Sequence, residues 1–318
     1  MRIHKSERTV LIASATIFVL AACSAGSSQL GLPNGSQTPT ALLGGGGSVE
    51  APLKACPKAR VYVANFGSNA VSVYPQRGES PAPCATITTG IYAPASVSVD
   101  SKGTLYVANY GNENVTEYLR NADVPSVTFN VGLRPEYIFV GADGTVYISA
   151  YPENEVLEFA PGASSVTRTI SIPYPFGMVT DNKNNLYVAY NGSDGKGHVE
   201  KFKPQATTGK DLGITVGYAY DIKLTKKSDL VLGDAAAGVV NIYPRGKTTP
   251  SRSFPTVTPF SFALNRVETR LYVATSIPGQ GVAVSIYDFQ TGALLGAITN
   301  GTQSPDGVAL DPTAPYAK

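Results

Sequence analysis

One five-residue string governs what this chain can fold into, because it comes back. Val61-Tyr62-Val63-Ala64-Asn65 recurs as Leu105-Tyr106-Val107-Ala108-Asn109, and looser copies begin at Val146, Leu186, Leu230 and Leu271. Their second residues stand at positions 62, 106, 147, 187, 231 and 272, so the intervals are 44, 41, 40, 44 and 41. Two further features keep step. An aromatic closes the run after each string: Tyr74, Tyr118, Phe159 and Tyr243 lie 12 residues beyond the anchor, Phe202 and Tyr287 lie 15 beyond. A proline precedes an apolar residue by three positions in Pro94/Val97, Pro135/Ile138, Pro175/Met178, Pro259/Phe262 and Pro305/Val308, while Ala219/Ile222 keeps the spacing without proline. A chain with such a period is a stack or ring of equivalent units, none of which can bury its apolar surface alone.

Each unit reads as short strands. Residues 97–100 alternate, Ser101-Lys102-Gly103-Thr104 is a turn, and Leu105–Ala108 is apolar on both faces. A strand tolerates two apolar faces only when both are covered. A polar loop over residues 109–114 leads to a third strand at 115–119, and residues 127–131 close the unit. Four antiparallel strands every 40–45 residues are the pattern of a β-propeller blade, packed between two neighbours. The expected fold is all-β, a six-bladed β-propeller of four-stranded antiparallel blades. Residues 305–311 match a first strand with no second strand after it, and the unit at Val61 lacks a first strand. The two ends are therefore expected to share one blade, which removes the free sheet edges. A composition of 32 Gly and 23 Pro with only 15% charged residues suits so many turns.

The segment before the repeats has a different character. Arg2, Lys5 and Arg8 form a basic flank, and residues 10–22 are an uncharged, mostly apolar run, too short for a membrane-spanning helix of ~20 residues. The run ends in Leu20-Ala21-Ala22-Cys23, which resembles the bacterial lipobox. That resemblance implies a signal peptide over residues 1–22, lipidation at Cys23, and a cell-envelope location, periplasmic or outer-surface, with the membrane as a partner through the lipid. Residues 23–56 are expected to be a flexible Gly/Ser/Thr/Pro-rich tether and residues 57–318 the propeller. Removing residues 1–22 takes away Arg2, Lys5, Arg8 and Glu7 and leaves equal numbers of basic and acidic side chains. No basic footprint remains, so no nucleic-acid partner is expected. Cys56 and Cys84 are an exported even pair, expected to form a disulfide, with two free thiols as the alternative.

The strings Tyr62-Val63-Ala64-Asn65-Phe66-Gly67 and Tyr106-Val107-Ala108-Asn109-Tyr110-Gly111, with Pro-x-x-apolar before and an aromatic after, resemble the repeats of bacterial six-bladed propellers of the NHL and YVTN type. The resemblance spans nearly the whole region after the tether. It implies the fold strongly and function weakly, since related propellers serve as receptors, scaffolds, lactonases and lyases. Streptogramin lyases of similar fold use a His and a Glu with magnesium, and their repeats are Trp-rich; this chain has no Trp, and His198 alone follows the signal peptide. Gluconolactonase-type propellers begin their metal site with Glu-Gly-Pro, which does not occur here.

Function is expected on the rim formed by the loops into each first strand and between second and third strands. Aromatics crowd it: Phe66, Tyr92, Tyr110, Tyr151, Tyr174, Phe176, Tyr190, Tyr218, Tyr220 and Phe260. Tyr110, Tyr137, Tyr151, Phe176, Tyr190 and Tyr220 are the candidate ligand-binding residues, for a sugar, a peptide or an envelope protein. Flat rings give contact area at little entropic cost; packing between blades is the other role open to them. The second-to-third loops at 191–197 and 276–281 are three residues longer than the rest and would widen the rim. Glu136, Asp221 and Asp306 follow the proline position on alternate blades and form a candidate Ca²⁺ set. Asp221 sits one residue later than the other two, which points it to the opposite strand face. Asn65 and Asn109 are read as turn formers with access to left-handed angles, and His198 as a surface residue. No nucleophile elbow or phosphate loop is present. The sequence supports a membrane-tethered binding or interaction module without enzymatic activity or resident cofactor, with a metal-dependent lactonase or lyase as the alternative.

Overall fold

The computed structural model describes residues 53–276 and 282–313. Cys23, the signal segment, most of the tether and the loop at 277–281 lie outside the described residues.

Among the described residues, the strands form six separate four-stranded antiparallel sheets. Blade 1 runs outward from Pro305–Leu310 through Arg60–Asn65 and Ala70–Pro75 to Ala85–Ile87. The innermost strands of blades 2 to 6 are Pro94–Val99, Tyr137–Val140, Pro175–Thr180, Ala219–Leu224 and Ser261–Leu264. Each touches the innermost strands on either side, which closes the ring. Blade 1 supplies the closure expected from the sequence: Val61 pairs with Leu310 and Val63 with Val308, antiparallel.

The doubly apolar second strands are explained by six cores lying between blades. In blade 2, Leu105 and Val107 face blade 1, whereas Tyr106 and Ala108 face blade 3. In blade 1, Val61 and Val63 join the core shared with blade 6, and Tyr62 and Ala64 the core shared with blade 2. The period of two in a strand thus distributes alternate side chains to alternate cores. Each fully buried Val or Tyr in such a core stabilises the ring by roughly 1.5–3 kcal/mol. The aromatic that ends the third strand faces the preceding blade, and where it is tyrosine its hydroxyl can reach backbone. Tyr74 donates to the Asn300 carbonyl at 2.8 Å and Tyr118 to that of Thr89 at 2.6 Å. Both acceptor carbonyls lie in loops leading into the innermost strand of the tyrosine's own blade, so the repeat's aromatic position holds the rim in place.

Ordered packing begins before the expected start of the ring. Leu53 and Cys56, assigned to the tether by sequence, are buried against blades 1 and 2. A short 3-10 turn at Leu53–Ala55 is held by Arg60, whose guanidinium donates to the Leu53 carbonyl at 2.8 Å and to Asn121 Oδ1 at 2.7 Å. Cys56 and Cys84 are joined by a disulfide with a Cα–Cα distance of 5.4 Å. It ties this segment to the chain leading into the outermost strand of blade 1.

Asn65 and Asn109 do not adopt the left-handed angles expected of them. Their φ values are −103° and −92°, and both are fully buried. The left-handed residues are Asn69 and Glu113, four positions later. Asn65 instead accepts from the Gln303 amide at 2.9 Å and donates to Ser72 Oγ at 3.0 Å. Asn109 accepts from the Tyr92 amide at 3.1 Å and donates to Thr116 Oγ1 at 3.1 Å. A buried carboxamide has donors and an acceptor to satisfy, and here it clamps the rim loop to the blade.

Candidate functional site: the mouth of the central channel

Six residues, one from each blade, ring one end of the channel. They are Asp306, Ala95, Glu136, Phe176, Tyr220 and Phe260, in order from blade 1 to blade 6, and all line a cavity of about 360 Å³. Each is the residue after the proline position, so the sequence period places them at one height. The ring has two unlike halves. Blades 1 to 3 contribute two carboxylates with a small alanine between them; blades 4 to 6 contribute three aromatic rings. A second tier stands above: Phe66, Tyr110 and Tyr151 follow the second strands of blades 1 to 3, and Tyr218 precedes the innermost strand of blade 5. The cavity is therefore walled by aromatics, with Glu136 and Asp306 as its carboxylates.

The rings form a connected wall. Tyr220 lies 4.5 Å from Phe260 and 4.8 Å from Phe176, centroid to centroid, and Phe176 lies 5.1 Å from Tyr151. Tyr218 completes the wall at 5.0 Å from Tyr220. Across the mouth, Phe66 and Tyr110 approach to 6.2 Å. Tyr174, next to Pro175, has a φ of 38°, and its ring lies 5.5 Å from Tyr151. The strain is held by the Tyr174 amide donating to Asn154 Oδ1 at 2.9 Å.

The residue one further along each innermost strand points away from this cavity and closes its floor. Tyr137 is the largest of these. Its hydroxyl donates to the Phe260 carbonyl on the opposite side of the ring, and its ring meets Phe176 edge-on at 5.9 Å. Ser96, Asp221 and Ser261 occupy the same position and, with Tyr137, line a second cavity of about 540 Å³ at the other end of the channel. In blades 4 and 1 this position is glycine. A Cβ on Gly177 would stand 2.6 Å from the Asp221 Cα, and one on Gly307 would stand 2.8 Å from the Ser96 Cα. The innermost strands approach too closely there for any side chain.

Asp221 is thus separated from the other two candidate acids. Its carboxylate accepts from the Phe262 amide at 2.7 Å, the Ile222 amide at 2.7 Å and Lys223 Nζ at 2.5 Å. Its bonds tie blade 5 to blade 6. The proposed calcium set of Glu136, Asp221 and Asp306 is not assembled, because a shift of one residue along a strand reverses the side chain. Among the described residues, no three His, Cys, Asp or Glu side chains are grouped to hold a metal ion.

Of the candidate ligand residues, Tyr110, Tyr151, Phe176 and Tyr220 line the mouth, with Phe66, Tyr218 and Phe260 from the wider rim set. Tyr137 lies beneath it. Tyr190 is not part of the lining; it stacks on His198 at 5.4 Å, and His198 Nε2 lies 3.1 Å from the Asp194 carboxylate. The long loop at 191–197 folds back as a tight turn, with Gly192 and Lys196 bonded at 2.8 Å, and does not enlarge the cavity. Ala95 drew no notice in the sequence, yet its small side chain leaves the space between the two carboxylates open. The signal for it was the same proline register that marked Glu136 and Asp306.

Electrostatics sets the two carboxylates apart from ordinary surface acids. Burial, then the nearby charge of Asp306, pushes the Glu136 carboxyl up to about 7, against a smaller opposing pull from Arg134. Arg134 lies to the outside, 3.5 Å from Glu153 and over the Tyr110 ring at 5.6 Å. Burial is the main reason Tyr218 is raised to about 12 and Tyr220 and Tyr137 further, with the charge of Glu136 adding to each. All three phenols are neutral at physiological pH.

The fold defines the class: this is a six-bladed β-propeller, closed by its two ends sharing one blade. Comparison with solved structures agrees. The nidogen/laminin complex contains a chain matched with a TM-score of 0.67 at 15% identity, covering 81% of this chain and 100% of that one. A protein of unknown function from Bacteroides caccae matches with a TM-score of 0.62 at 11% identity, over 80% and 98%. A streptogramin B lyase structure matches at 0.50 and 12% identity, over 78% and 75%. At such identities the likeness is one of fold. No protein-family model and no curated protein sequence matches the chain.

Proposed function

We propose that the protein is a binding module of the cell envelope, tethered through lipid on Cys23, whose ligand enters the aromatic mouth of the propeller. The observation that carries this is the blind cavity itself. Seven aromatic side chains converge on about 360 Å³ of space with two carboxylates in the wall, and Tyr137 closes the floor. Ligand sites are concave and mostly apolar, with a few placed polar groups that set orientation. Buried Asn65 and Asn109 clamp the rim loops of blades 1 and 2, and Asn154 and Asp234 accept from the Tyr174 and Tyr218 amides on blades 4 and 5, so much of the rim is held before a ligand arrives, which limits the entropy lost on binding. The basic flank, apolar run and Cys23 support export and lipidation. A metal-dependent lactonase or lyase gains no support, because the acids it would use face opposite ends of the channel.

Titration calorimetry of the full chain against neutral sugars, short peptides and small organic ions tests the reading. Saturable binding to at least one class is expected, weakened tenfold or more by Tyr220→Ala. Binding that ignores Tyr220→Ala would move the site elsewhere. For the tether, Cys23→Ser is expected to shift the protein from the membrane fraction to the soluble one.

A further inference from the structure

We propose that the ligand of the mouth is a neutral sugar, a single pyranose ring that lies on the aromatic wall and hydrogen-bonds the side chains of Glu136, Tyr151, Tyr218 and Tyr220. The inference rests on the binding reading above and names its ligand class.

Those four side chains line the cavity. Among the described residues, neither the Glu136 carboxyl nor the hydroxyls of Tyr151, Tyr218 and Tyr220 hydrogen-bonds to another protein group. They also gather in one place, because the charges of Glu136 and Tyr151 bear on both Tyr218 and Tyr220. The tyrosines at the edge and floor of the mouth are different. Tyr110 accepts from Arg134 at 3.3 Å, and Tyr137 donates to the Phe260 carbonyl. The protein thus satisfies the hydroxyls around the site and leaves those of the wall to a ligand.

A phenol hydroxyl both donates and accepts, and so does a protonated carboxyl. The Glu136 carboxyl is pushed up to about 7 by burial and then by Asp306, against Arg134. Below that pH it holds its own proton and offers both roles. The same tyrosines present ring surface: Tyr220 and Phe260 stand 4.5 Å apart, centroid to centroid, with Phe66 and Tyr110 across the mouth. A pyranose has C–H groups on its faces and hydroxyls along its edge. Its faces cover the rings while its edge supplies donors and acceptors to the four polar groups.

Other occupants fit this lining poorly. A purely apolar ligand would bury those groups without partners, which is costly. An anion meets the acids Glu136 and Asp306. A hard divalent ion takes six to eight oxygens, and rings supply none. A cation gains no particular advantage, since Glu136 is neutralised by its own proton below pH 7. An extended peptide would have to end in the cavity, because Tyr137 closes the floor, and it would bury a terminal charge among rings. The closed floor admits a free sugar or the end unit of a glycan chain.

Calorimetry on the full chain at pH 6 tests this with the methyl glycosides of glucose, galactose, mannose and N-acetylglucosamine, their disaccharides, cyclohexanol and choline. At least one glycoside is expected to bind saturably, with cyclohexanol, which keeps a ring and one hydroxyl, about tenfold weaker or more. A disaccharide that binds more tightly than its glycoside marks a chain end as the ligand; equal or weaker binding marks a free sugar. Tyr220→Phe keeps the ring and is expected to weaken the glycoside about fivefold without lowering the thermal melt. Glu136→Leu is expected to weaken it about tenfold, whereas Glu136→Gln, which still donates and accepts, retains most of the affinity. No glycoside binding at tens of millimolar would overturn the proposal, as would cyclohexanol binding equally well, or a glycoside indifferent to both Tyr220→Phe and Glu136→Leu. Choline or a peptide bound through Tyr220 where no sugar binds would also overturn it, yet would leave the binding-module reading standing. Absence of Tyr220-dependent binding for every ligand would remove both.

Discussion

The two ends of the channel are built from the same six strands and differ in almost every other respect. The upper mouth takes the residue after the proline position of each blade and is aromatic with two carboxylates. The lower cavity, about 540 Å³ against about 360 Å³, is lined by later residues of the same strands and holds charges of both signs. There Asp221 is paired with Lys223. Asp181, at the rim, is lowered to about 2, its burial being outweighed by hydrogen bonds from Asn185 and Lys201. The larger cavity is the one whose acids are already satisfied by the protein. The smaller holds a carboxyl that the protein has left at a cost, and for that reason the mouth is the better candidate for a ligand.

The comparison breaks if the acids at the two ends behave alike. Asp221→Ala removes the acceptor for two buried amides and a lysine, and is expected to cost about 3–5 kcal/mol, read by chemical denaturation. If Glu136→Ala costs as much, the distinction is wrong. Gly177→Ala tests the waist between the two cavities. Its new Cβ meets backbone rather than a movable side chain, and a loss of about 1–3 kcal/mol or more is expected. No loss would mean that the innermost strands are less tightly drawn in than described.

The pH profile sharpens the same contrast. Glu136 titrates at about 7 in the folded chain and near its ordinary 4.5 when unfolded. Between those values the folded state binds the extra proton, so this group's contribution to stability is fully present below pH 4.5 and declines as pH rises to 7. The decline is on the order of 3 kcal/mol. Glu136→Gln should flatten it, whereas Asp181→Asn should lower stability evenly across that range, because a lowered carboxyl contributes above its unfolded pKa and loses that contribution only as pH falls through about 2. Melting curves from pH 4 to pH 8 distinguish them. The smallest effect is expected from Tyr137→Phe, which keeps the ring on Phe176 and loses one hydrogen bond to the Phe260 carbonyl, worth about 1 kcal/mol.

Much of this was readable from the chain. The recurring string and its proline and aromatic companions announced the blade count, the strand order and the shared blade. They did so because each blade packs against two neighbours, and that demand is written as apolar residues on both faces of the second strand. Most rim aromatics were also legible, since Phe66, Tyr110 and Tyr151 each follow a repeat string directly. Asn65 and Asn109 were misread as turn residues because the sequence does not show that they are buried. Once water is excluded, the carboxamide must bond to the loop above it, and the backbone stays extended.

What the sequence determined by itself is the period, and with it the ring, because periodic apolar surface has few ways of being covered. It also put Glu136, Asp306 and Phe176 in one register. Only the tertiary structure decided that the acids of blades 1 and 3 face the rings of blades 4 to 6 around one cavity, that Tyr137 crosses the channel beneath them, and that Tyr190 stands aside. Those outcomes depend on which side chains meet across the axis of a closed ring, between residues more than a hundred positions apart, and no local pattern encodes a distance of that kind.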